Sequence, residues 1–239
     1  MSADEARLGR VLADIARQPA APGGSGDTAG LLRRVCVAAA ESIEASGVGL
    51  WVMSKDGVPG FSVASDPGCQ QVEEFQFTVG EGASTDAFSS RRPILVPDLA
   101  DGLSSRWPVY SAAMHDLGVG AVFAFPMQVG ASRLGVFTIF RSRAAGLTAE
   151  ELALALTFAD VALMTLLDGH EASSDGLAGA MTHQAAVFQA QGMIMVQLGV
   201  SLEEALIRLR ARAYADGRAL TDVARDVLTR RLRFQHGDS

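Results

Sequence analysis

The chain has 239 residues, of which 49% are apolar and 20% are charged, so its composition is that of a folded globular protein and not of a disordered one. Its formal net charge of −7 excludes a uniformly cationic nucleic-acid binder. The charge is uneven, however: residues 1–180 carry 12 Arg or Lys against 21 Asp or Glu, whereas residues 181–239 carry 8 Arg against 6 Asp or Glu. This weakly basic end indicates either a module that faces a polyanion or a solvated charged helix surface.

Two segments bear on where the protein is located. Residues 1–17 form a charged amphipathic helical pattern without the apolar stretch of a secretory signal, which predicts a cytoplasmic protein. Residues 152–167 are nearly all apolar, but a run of 16 residues that includes Asp160 is too short for a bilayer, which needs about 20. We therefore expect no membrane span, and instead a buried helix that packs on its own sheet and on a partner chain.

The first two thirds of the chain alternate between predicted helices and short strands. After the helix at residues 1–17, the Pro/Gly/Ser-rich residues 19–30 predict a linker, and a helix follows at residues 31–45. The next runs have strand character or signal a hairpin: residues 48–53, Lys55-Asp56-Gly57, residues 61–64, 75–79 and 93–96. Short helices are expected near residues 84–89 and 109–117.

Two longer strands and a long helix complete this region. Residues 121–129 and 134–140 are β-rich runs around Gly130 and predict a hairpin. Thr148 and Glu151 have the spacing of a capping box that opens the apolar helix. Two cysteines are present, and their spacing predicts neither a disulfide nor a zinc site; we expect Cys36 to be buried in a helix and Cys69 to lie in a loop.

The C-terminal segment changes to a purely helical pattern with short connections, which predicts a compact three-helix bundle. Gly199 ends the first of these helices, Ser201 and Glu204 form a capping box for the second, and Asp216-Gly217 breaks it. Thr221 is the predicted cap of the last helix. The expected inward stripes are Val187, Ala190, Ile194 and Leu198, then Leu202, Leu206, Leu209 and Ala213, then Val223, Val227 and Leu228.

The order of elements predicts an α+β fold in which an antiparallel sheet with flanking helices is followed by a small all-α three-helix bundle. Because residues 171–179 are small and polar, we place the domain junction within or just before them. The predicted organisation is an N-terminal helix and flexible linker at residues 1–27, a sheet domain at residues 28–170, the bundle at residues 171–234 and a tail at residues 235–239.

The sequence argues against an enzyme. It contains neither a nucleophile elbow nor a phosphate-binding Walker loop, and Gly80-Glu81-Gly82 lacks the rest of a dinucleotide fingerprint, so we interpret it as a turn. The four histidines share no metal-ligand spacing, which predicts no metal site. We therefore expect no catalytic residues.

The arginines of the bundle suggest a different chemistry. Helical periodicity places Arg208 and Arg212 on one flank of the second helix and Arg210 with Tyr214 on the other, while Arg218 stands in the following connection. Arginine binds phosphate bidentately, and both arginine and tyrosine stack on bases. The alternative is that these arginines pair with neighbouring Asp and Glu residues on a solvated surface, which the pattern alone favours.

Residues 187–232 strongly resemble the ANTAR domain of bacterial antiterminators. The resemblance rests on residues 189–195 (QAQGMIM), 199–205 (GVSLEEA), 209–213 (LRARA) and 220–224 (LTDVA). It implies a three-helix domain that binds paired RNA stem-loops and thereby prevents a terminator from forming. It also implies that Gln189, Gln191 and Gly192 lie on the face that meets the RNA loop, with Gln191 in the place of the family's lysine.

Residues 28–169 look like a GAF domain, the sensor domain found fused to ANTAR modules. The motifs that carry this resemblance are residues 48–52 (VGLWV), 79–86 (VGEGASTD), 92–98 (RPILVPD), 107–108 (WP), 124–127 (AFPM) and 134–136 (LGV). The resemblance implies an unknown small-molecule ligand, and no cofactor is predicted. A bilin would need a pocket cysteine and haem a pocket histidine, for which His115 is the candidate.

Three functional hypotheses follow. The first is a signal-responsive RNA-binding transcription regulator, an antiterminator that works as a homodimer and whose apolar helix passes the sensor's signal to the bundle. Its predicted RNA-binding residues are Gln189, Gln191, Gly192, Arg208, Arg210, Arg212, Tyr214 and Arg218. The second is a DNA-binding repressor with a GAF ligand-sensing domain, since residues 221–227 resemble part of a helix-turn-helix. The third is a sulfoxide reductase-like enzyme, which would need a reactive cysteine.

Overall fold

The structure is a computed structural model that describes residues 2–19, 28–53, 59–101, 106–172 and 174–235. The sheet-containing region comprises α1 (Ala3–Arg17), α2 (Thr28–Ser42), β1 (Gly47–Met53), β2 (Pro59–Ala64), α3 (Pro67–Val79), α4 (Ala83–Ser90), β3 (Ile94–Val96), α5 (Pro108–Asp116), β4 (Ala121–Val129), β5 (Ser132–Arg141) and α6 (Ala149–Ala172). The C-terminal bundle comprises α7 (Ser174–Leu198), α8 (Leu202–Ala215) and α9 (Leu220–Leu228). The predicted α+β class is confirmed.

Within the described residues, five strands form one antiparallel sheet in the order β2-β1-β5-β4-β3. Helices cover both of its faces. Side chains alternate along β4, so that Phe123 and Phe125 join the core under α1, α2 and α6, whereas Val122 and Ala124 join the core under α3, α4 and α5. Because both faces are covered, β4 is an almost unbroken apolar run.

The hairpin predicted around Gly130 is confirmed: β4 and β5 pair from Ala121↔Arg141 to Val129↔Ser132, and Gly130 has a φ of 57°. β1 and β2 also pair in antiparallel fashion, from Gly49↔Ala64 to Met53↔Pro59. The hairpin signal at Lys55-Asp56-Gly57 and most of the predicted linker, residues 20–27, lie outside the described residues.

The strand predicted at residues 75–79 is wrong, because these residues form the last turns of α3. The start of this helix is set by Asp66, whose Oδ1 accepts the backbone N–H of Cys69 at 2.9 Å, and by Pro67 in the first turn. Gly80 ends the helix in the left-handed conformation, with a φ of 75°. The capping residues at both ends thus outweigh the β-like composition of residues 75–79. Cys69, which was expected in a loop, is a buried residue of this helix.

Helix α6 begins at the predicted capping box. The N–H of Glu151 donates to Thr148 Oγ1 at 3.2 Å, and the N–H of Thr148 donates to Glu151 Oε2 at 2.7 Å. The polar junction predicted at residues 171–179 is helical wherever it is described, since α6 runs to Ala172 and α7 begins at Ser174. Small residues are compatible with a helix when long helices on both sides propagate into them. None of the helices in the described part of the chain is long and apolar enough to cross a membrane.

The bundle has the predicted inward stripe on α7, where Val187, Ala190, Ile194 and Leu198 are all buried. Two details differ from the predicted bundle. Leu202, predicted to face inward, is 52% exposed, because Ala205 is the residue at the start of α8 that faces the core. Thr221 does not cap α9: the cap residue is Ala219, which has no side-chain hydrogen bond, and Thr221 lies inside the helix.

Replacing Gly135 by Ala tests the tightness of the sheet. A Cβ at this position of β5 would lie 1.9 Å from the carbonyl oxygen of Trp51, and a backbone atom between paired strands cannot move aside. We expect Gly135→Ala to lower the free energy of unfolding, measured in urea titrations, by about 1–3 kcal/mol or more. Gly9→Ala is the control, because its Cβ meets open space on α1 and the change should be neutral or stabilising by about 0.5–1 kcal/mol. Equal stabilities of the two variants would contradict this packing.

Candidate functional site

The three predicted RNA-binding residues of α7 do not share one surface. Gln189 is exposed and Gly192 is half-buried on the outer side of the helix. Gln191 is only 8% exposed, and its Nε2 donates to the carbonyl oxygen of Leu202 at 2.6 Å. Because successive helical residues turn by about 100°, position 191 faces the start of α8 while positions 189 and 192 face outward. The side chain of Gln191 therefore helps to hold α7 and α8 together.

Three of the predicted arginines are engaged in ion pairs within the bundle. Arg208 Nε lies 2.9 Å from Glu204 Oε1, and Arg212 Nε lies 2.8 Å from Asp216 Oδ2. Arg218 Nη1 lies 2.8 Å from Asp226 Oδ2. The charges of these three side chains are thus partly offset by their neighbours, as expected of the solvated-surface alternative.

Arg210 and Tyr214, predicted to share a flank of α8, have different surroundings. Tyr214 is 58% exposed. Arg210 instead reaches the sheet-containing region, with its guanidinium 5.3 Å from the ring centre of Phe77 and over Gly80, where a Cβ would meet Nη1 at 2.7 Å. Burial lowers the pKa of Arg210, and its Nε has no hydrogen-bond partner among the described residues. The C-terminal end of α3, with its negative dipole, is a favourable place for this cation.

A cluster of buried polar side chains lies between α3, α4 and β5; we call Glu73, Gln76, Ser84 and Thr138 the polar cluster. All four are fully buried. Gln76 Nε2 lies 3.3 Å from Glu73 Oε2 and 3.1 Å from Ser84 Oγ, and the hydroxyls of Ser84 and Thr138 are 2.8 Å apart. Glu73 Oε1 and the buried hydroxyl of Tyr110 have no hydrogen-bond partner among the described residues.

The electrostatics of the polar cluster are dominated by Glu73. Burial raises the pKa of Glu73 to about 8, so its carboxyl group is mostly protonated at neutral pH. Burial also raises the pKa of Tyr110, and the nearby Glu73 adds to this shift. The side chain of Glu73 occupies the space beside Gly49, where a Cβ would lie 2.4 Å from Oε1. A carboxyl oxygen and a phenol that lack partners can recognise a small polar molecule.

Other candidate groups are less suitable. His115, the candidate haem ligand, has a side chain that is 86% exposed. Burial raises the pKa of the Cys36 and Cys69 thiols, which disfavours the reactive thiolate. In the part of the chain that the structure describes, no three His, Cys, Asp or Glu side chains converge as metal ligands would.

The role of α3 does not follow from the sequence pattern, because residues 75–79 have the composition of a strand. As a helix, α3 places Phe77 one turn after Glu73, so one helix contacts both the polar cluster and Arg210. The signal that could have identified it is the Asp66-Pro67 pair, which is typical of a helix start.

The raised pKa of Glu73 predicts a pH-dependent stability. Between about pH 4.5 and about pH 8, the folded state holds a proton that the unfolded state has lost, so the free energy of unfolding falls as the pH rises. Glu73→Gln should remove this slope and stabilise the protein at pH 8 by a few kcal/mol, as an order of magnitude. The control is Glu74→Gln, a change in the neighbouring exposed carboxylate. Urea titrations from pH 5 to pH 8 in which the two variants keep the same slope would contradict the assignment.

The chain is similar to known proteins over most of its length. The family model of the GAF domain matches residues 25–166, and that of the ANTAR domain matches residues 175–228. No curated protein matches the chain. This pairing of a sensor domain with an output domain is that of a signal-responsive regulator.

Solved structures show the same sensor fold. They include the GAF domain of a phosphoenolpyruvate-protein phosphotransferase from Coxiella burnetii, with 17% identity and a TM-score of 0.51 over 70% of this chain and 95% of that one. The corresponding Acinetobacter domain has 11% identity and a TM-score of 0.50, over 72% and 98% of the two chains. Free methionine-R-sulfoxide reductase from Neisseria meningitidis has 13% identity and a TM-score of 0.50, over 71% and 92%. Such low identities establish the fold alone; with the family matches, they show that the chain belongs to the GAF-domain family and carries an ANTAR domain after the sensor.

Proposed function

We propose that this protein is a signal-responsive RNA-binding transcription regulator, an antiterminator whose ANTAR domain at residues 171–234 binds paired RNA stem-loops under the control of the GAF sensor at residues 28–170. The observation that carries the proposal is the contact between Arg210 of the output domain and Phe77 of the sensor. Through this contact, a residue that is predicted to bind RNA lies against α3, the helix that contributes Glu73 and Gln76 to the polar cluster.

The polar cluster is the proposed entry point of the signal. A small polar ligand that hydrogen-bonds to Glu73 Oε1 or to the Tyr110 hydroxyl would supply partners that these buried atoms lack. Phe77 follows Glu73 by one helical turn, so a shift of α3 changes the surface on which Arg210 rests. A cation–π contact is worth about 0.5–2 kcal/mol, which is comparable to the coupling of about 1–3 kcal/mol typical between allosteric sites.

The modest charge of the bundle is compatible with RNA binding. Hairpin loops are recognised through stacking and base edges as well as through phosphates, so a strongly basic surface is not required. The exposed ring of Tyr214 is available for stacking, and Arg210 adds a cation when the sensor releases it. When the protein binds and stabilises the paired stem-loops, the same RNA can no longer form the competing terminator hairpin. This is the antitermination step.

A homodimer presents two ANTAR domains, one for each of the two paired stem-loops. The apolar side chains along α1 and α6 support such a pairing, because Leu8, Leu12, Leu156 and Met164 are between 43% and 56% exposed. We further propose that the protein acts in the cytoplasm, where transcripts are made, and that it binds its ligand without chemical conversion. Light scattering that shows a monomer at micromolar concentration, with and without RNA, would count against the dimer.

The direct test of the function uses the full chain. Crosslinking in cells and sequencing of the bound RNA should enrich transcripts with adjacent stem-loops upstream of a terminator. Adding the protein to transcription reactions on such templates should increase read-through. A preference for duplex DNA over these stem-loops in gel shifts would favour the DNA-binding repressor instead.

Weakening the sensor contact should release the output domain. Phe77→Leu keeps an apolar side chain in the core but removes the aromatic ring beneath Arg210, so ligand-free protein should bind stem-loop RNA about 3- to 10-fold more tightly. Phe75→Leu makes the same change on α3 at a position that packs in the core under α3, α4 and α5, and it is the matched control. Filter-binding affinities that are equal for both variants and the parent would contradict control through Arg210.

A further inference from the structure

The carboxyl group of Glu73 lies in the polar cluster without a cation beside it. The groups around it that can ionise are two thiols and a phenol: those of Cys36 on α2, Cys69 on α3 and Tyr110 on α5. Burial raises the pKa of all three, so each is uncharged at neutral pH. The other elements packed around Glu73 present residues that do not ionise: Gly49 of β1, Ser84 of α4 and Thr138 of β5.

The charged side chains near this region act on the thiols instead. Arg33 affects the pKa of Cys36 and Asp66 that of Cys69, whereas the pKa of Glu73 is set by burial and by the hydroxyl of Thr138. Among the residues that the structure describes, no positive charge therefore offsets a carboxylate at position 73. A buried carboxyl group in this situation needs either a proton or a cation from outside the chain.

Two oxygen atoms at the same place lack hydrogen-bond partners among the described residues, Glu73 Oε1 and the hydroxyl oxygen of Tyr110. The amide of Gln76 is already engaged, because its Nε2 donates to Glu73 Oε2 and its Oε1 accepts the N–H of Ser84 at 3.1 Å. A carboxylate only accepts hydrogen bonds, and a phenol oxygen can accept one as well. A ligand that donates several hydrogen bonds and carries a positive charge therefore meets both needs of the site.

Apolar side chains border the polar cluster and restrict which cation can bind. Val136 precedes Thr138 by two residues on β5 and so lies on the same face of the sheet, and Ala87 follows Ser84 by about one turn of α4. Both belong to the core cluster that contains Tyr110. A hard inorganic cation needs oxygen ligands on all sides, which these neighbours do not supply. An organic ammonium ion can instead place its alkyl part against them.

We propose that the ligand of the sensor is a small protonated primary amine, which binds at Glu73 Oε1 and the Tyr110 hydroxyl and displaces the proton of the Glu73 carboxyl group. The O–H bond of the carboxyl group breaks, its proton passes to solvent, and the ammonium group takes the place of that proton. The buried site is thus neutral before and after binding, whereas an anionic ligand would bring a negative charge to a carboxyl group. This inference rests on the proposed function, because it names the chemical class of the signal that enters at the polar cluster.

The exchange of a proton for an amine makes binding depend on pH. Burial raises the pKa of Glu73 to about 8, so at neutral pH a proton has to leave before the ammonium group can pair with the carboxylate. The affinity for the amine should therefore rise about 10-fold for each pH unit and level off near pH 8. Alkylammonium ions stay protonated throughout this range, as the lysine side chain does.

The first experiment compares probes of matched size on the full-length protein. Alkylammonium chlorides from methylammonium to pentylammonium should raise the Tm, whereas the alcohols and carboxylates of the same length and potassium chloride should not. Calorimetry in buffers of different ionisation enthalpy should show that about one proton is released for each amine bound at pH 7. An equal rise with the alcohols or with potassium chloride, no rise with any amine, or binding without proton release would overturn the proposal.

The second experiment changes the site and keeps the fold. Glu73→Gln preserves the shape of the side chain but cannot form a carboxylate, so it should lose the amine-dependent rise in Tm. Tyr110→Phe should weaken amine binding about 10-fold and still release the proton, because only the second oxygen is removed. Glu74→Gln is the matched control on the exposed side of α3 and should bind like the parent. Amine binding by Glu73→Gln that equals that of Glu74→Gln would overturn the site.

Stem-loop RNA recovered by crosslinking separates this inference from the proposed function. Saturating amine should raise the affinity of the parent for this RNA about 5-fold or more and should leave Glu73→Gln unchanged. Amine binding that does not alter RNA affinity would overturn the polar cluster as the entry point of the signal. If stem-loop RNA binds but no amine does, the ligand class is wrong and the regulator remains. If amines bind with proton release but no stem-loop RNA is enriched, the ligand class stands and the RNA-binding function is wrong.

Discussion

Helix α3 is packed between β1 and α8, and this packing joins the two domains. On the sensor side, Phe77 meets Trp51 of β1 edge-to-face with ring centres 5.8 Å apart. On the other side, Arg210 covers the same Phe77 ring. Trp51 and Phe77 also belong to the apolar cluster formed by the bundle's own core residues. The two domains therefore share a core at this point, and α3 cannot move within the sensor without disturbing the surface on which α8 rests.

The same helix carries a buried carboxyl group that costs stability. Glu73 is fully buried with one oxygen unpartnered, and Gly49 leaves the space that its side chain occupies. A protein selected only for stability would have no reason to retain such a group, whereas a recognition site has a direct use for it. Protonation reduces the penalty because a neutral carboxyl is easier to bury than a carboxylate. The unpartnered carboxyl oxygen of Glu73 and the contact at Phe77 are one helical turn apart, so the ligand proposed to bind at the polar cluster would have a short physical path to the output domain.

The count of charges in the bundle is a poor guide to its binding surface. The C-terminal residues are net positive by only two, yet the distribution of partners decides which charges a polyanion can use. Arg208, Arg212 and Arg225 on α8 and α9 pair with acids three or four positions away, as helical spacing allows. Arg230 and Arg233, which lie beyond the last helix, form no ion pair within the described residues, whereas Arg231 between them pairs with Asp226.

Local rules in the sequence determined most of the elements: the β4–β5 hairpin around Gly130, the capping box at Thr148 and the inward stripe of α7 all depend on residues close in the chain. The family motifs, likewise local, identified both domains. Tertiary structure decided the rest. Whether Gln191 meets RNA or Leu202, and whether Arg210 meets solvent or Phe77, depends on helices that approach from elsewhere in the chain. The polar cluster likewise exists only once α3, α4 and β5 are packed, because periodicity shows which side chains share a face but not what that face touches.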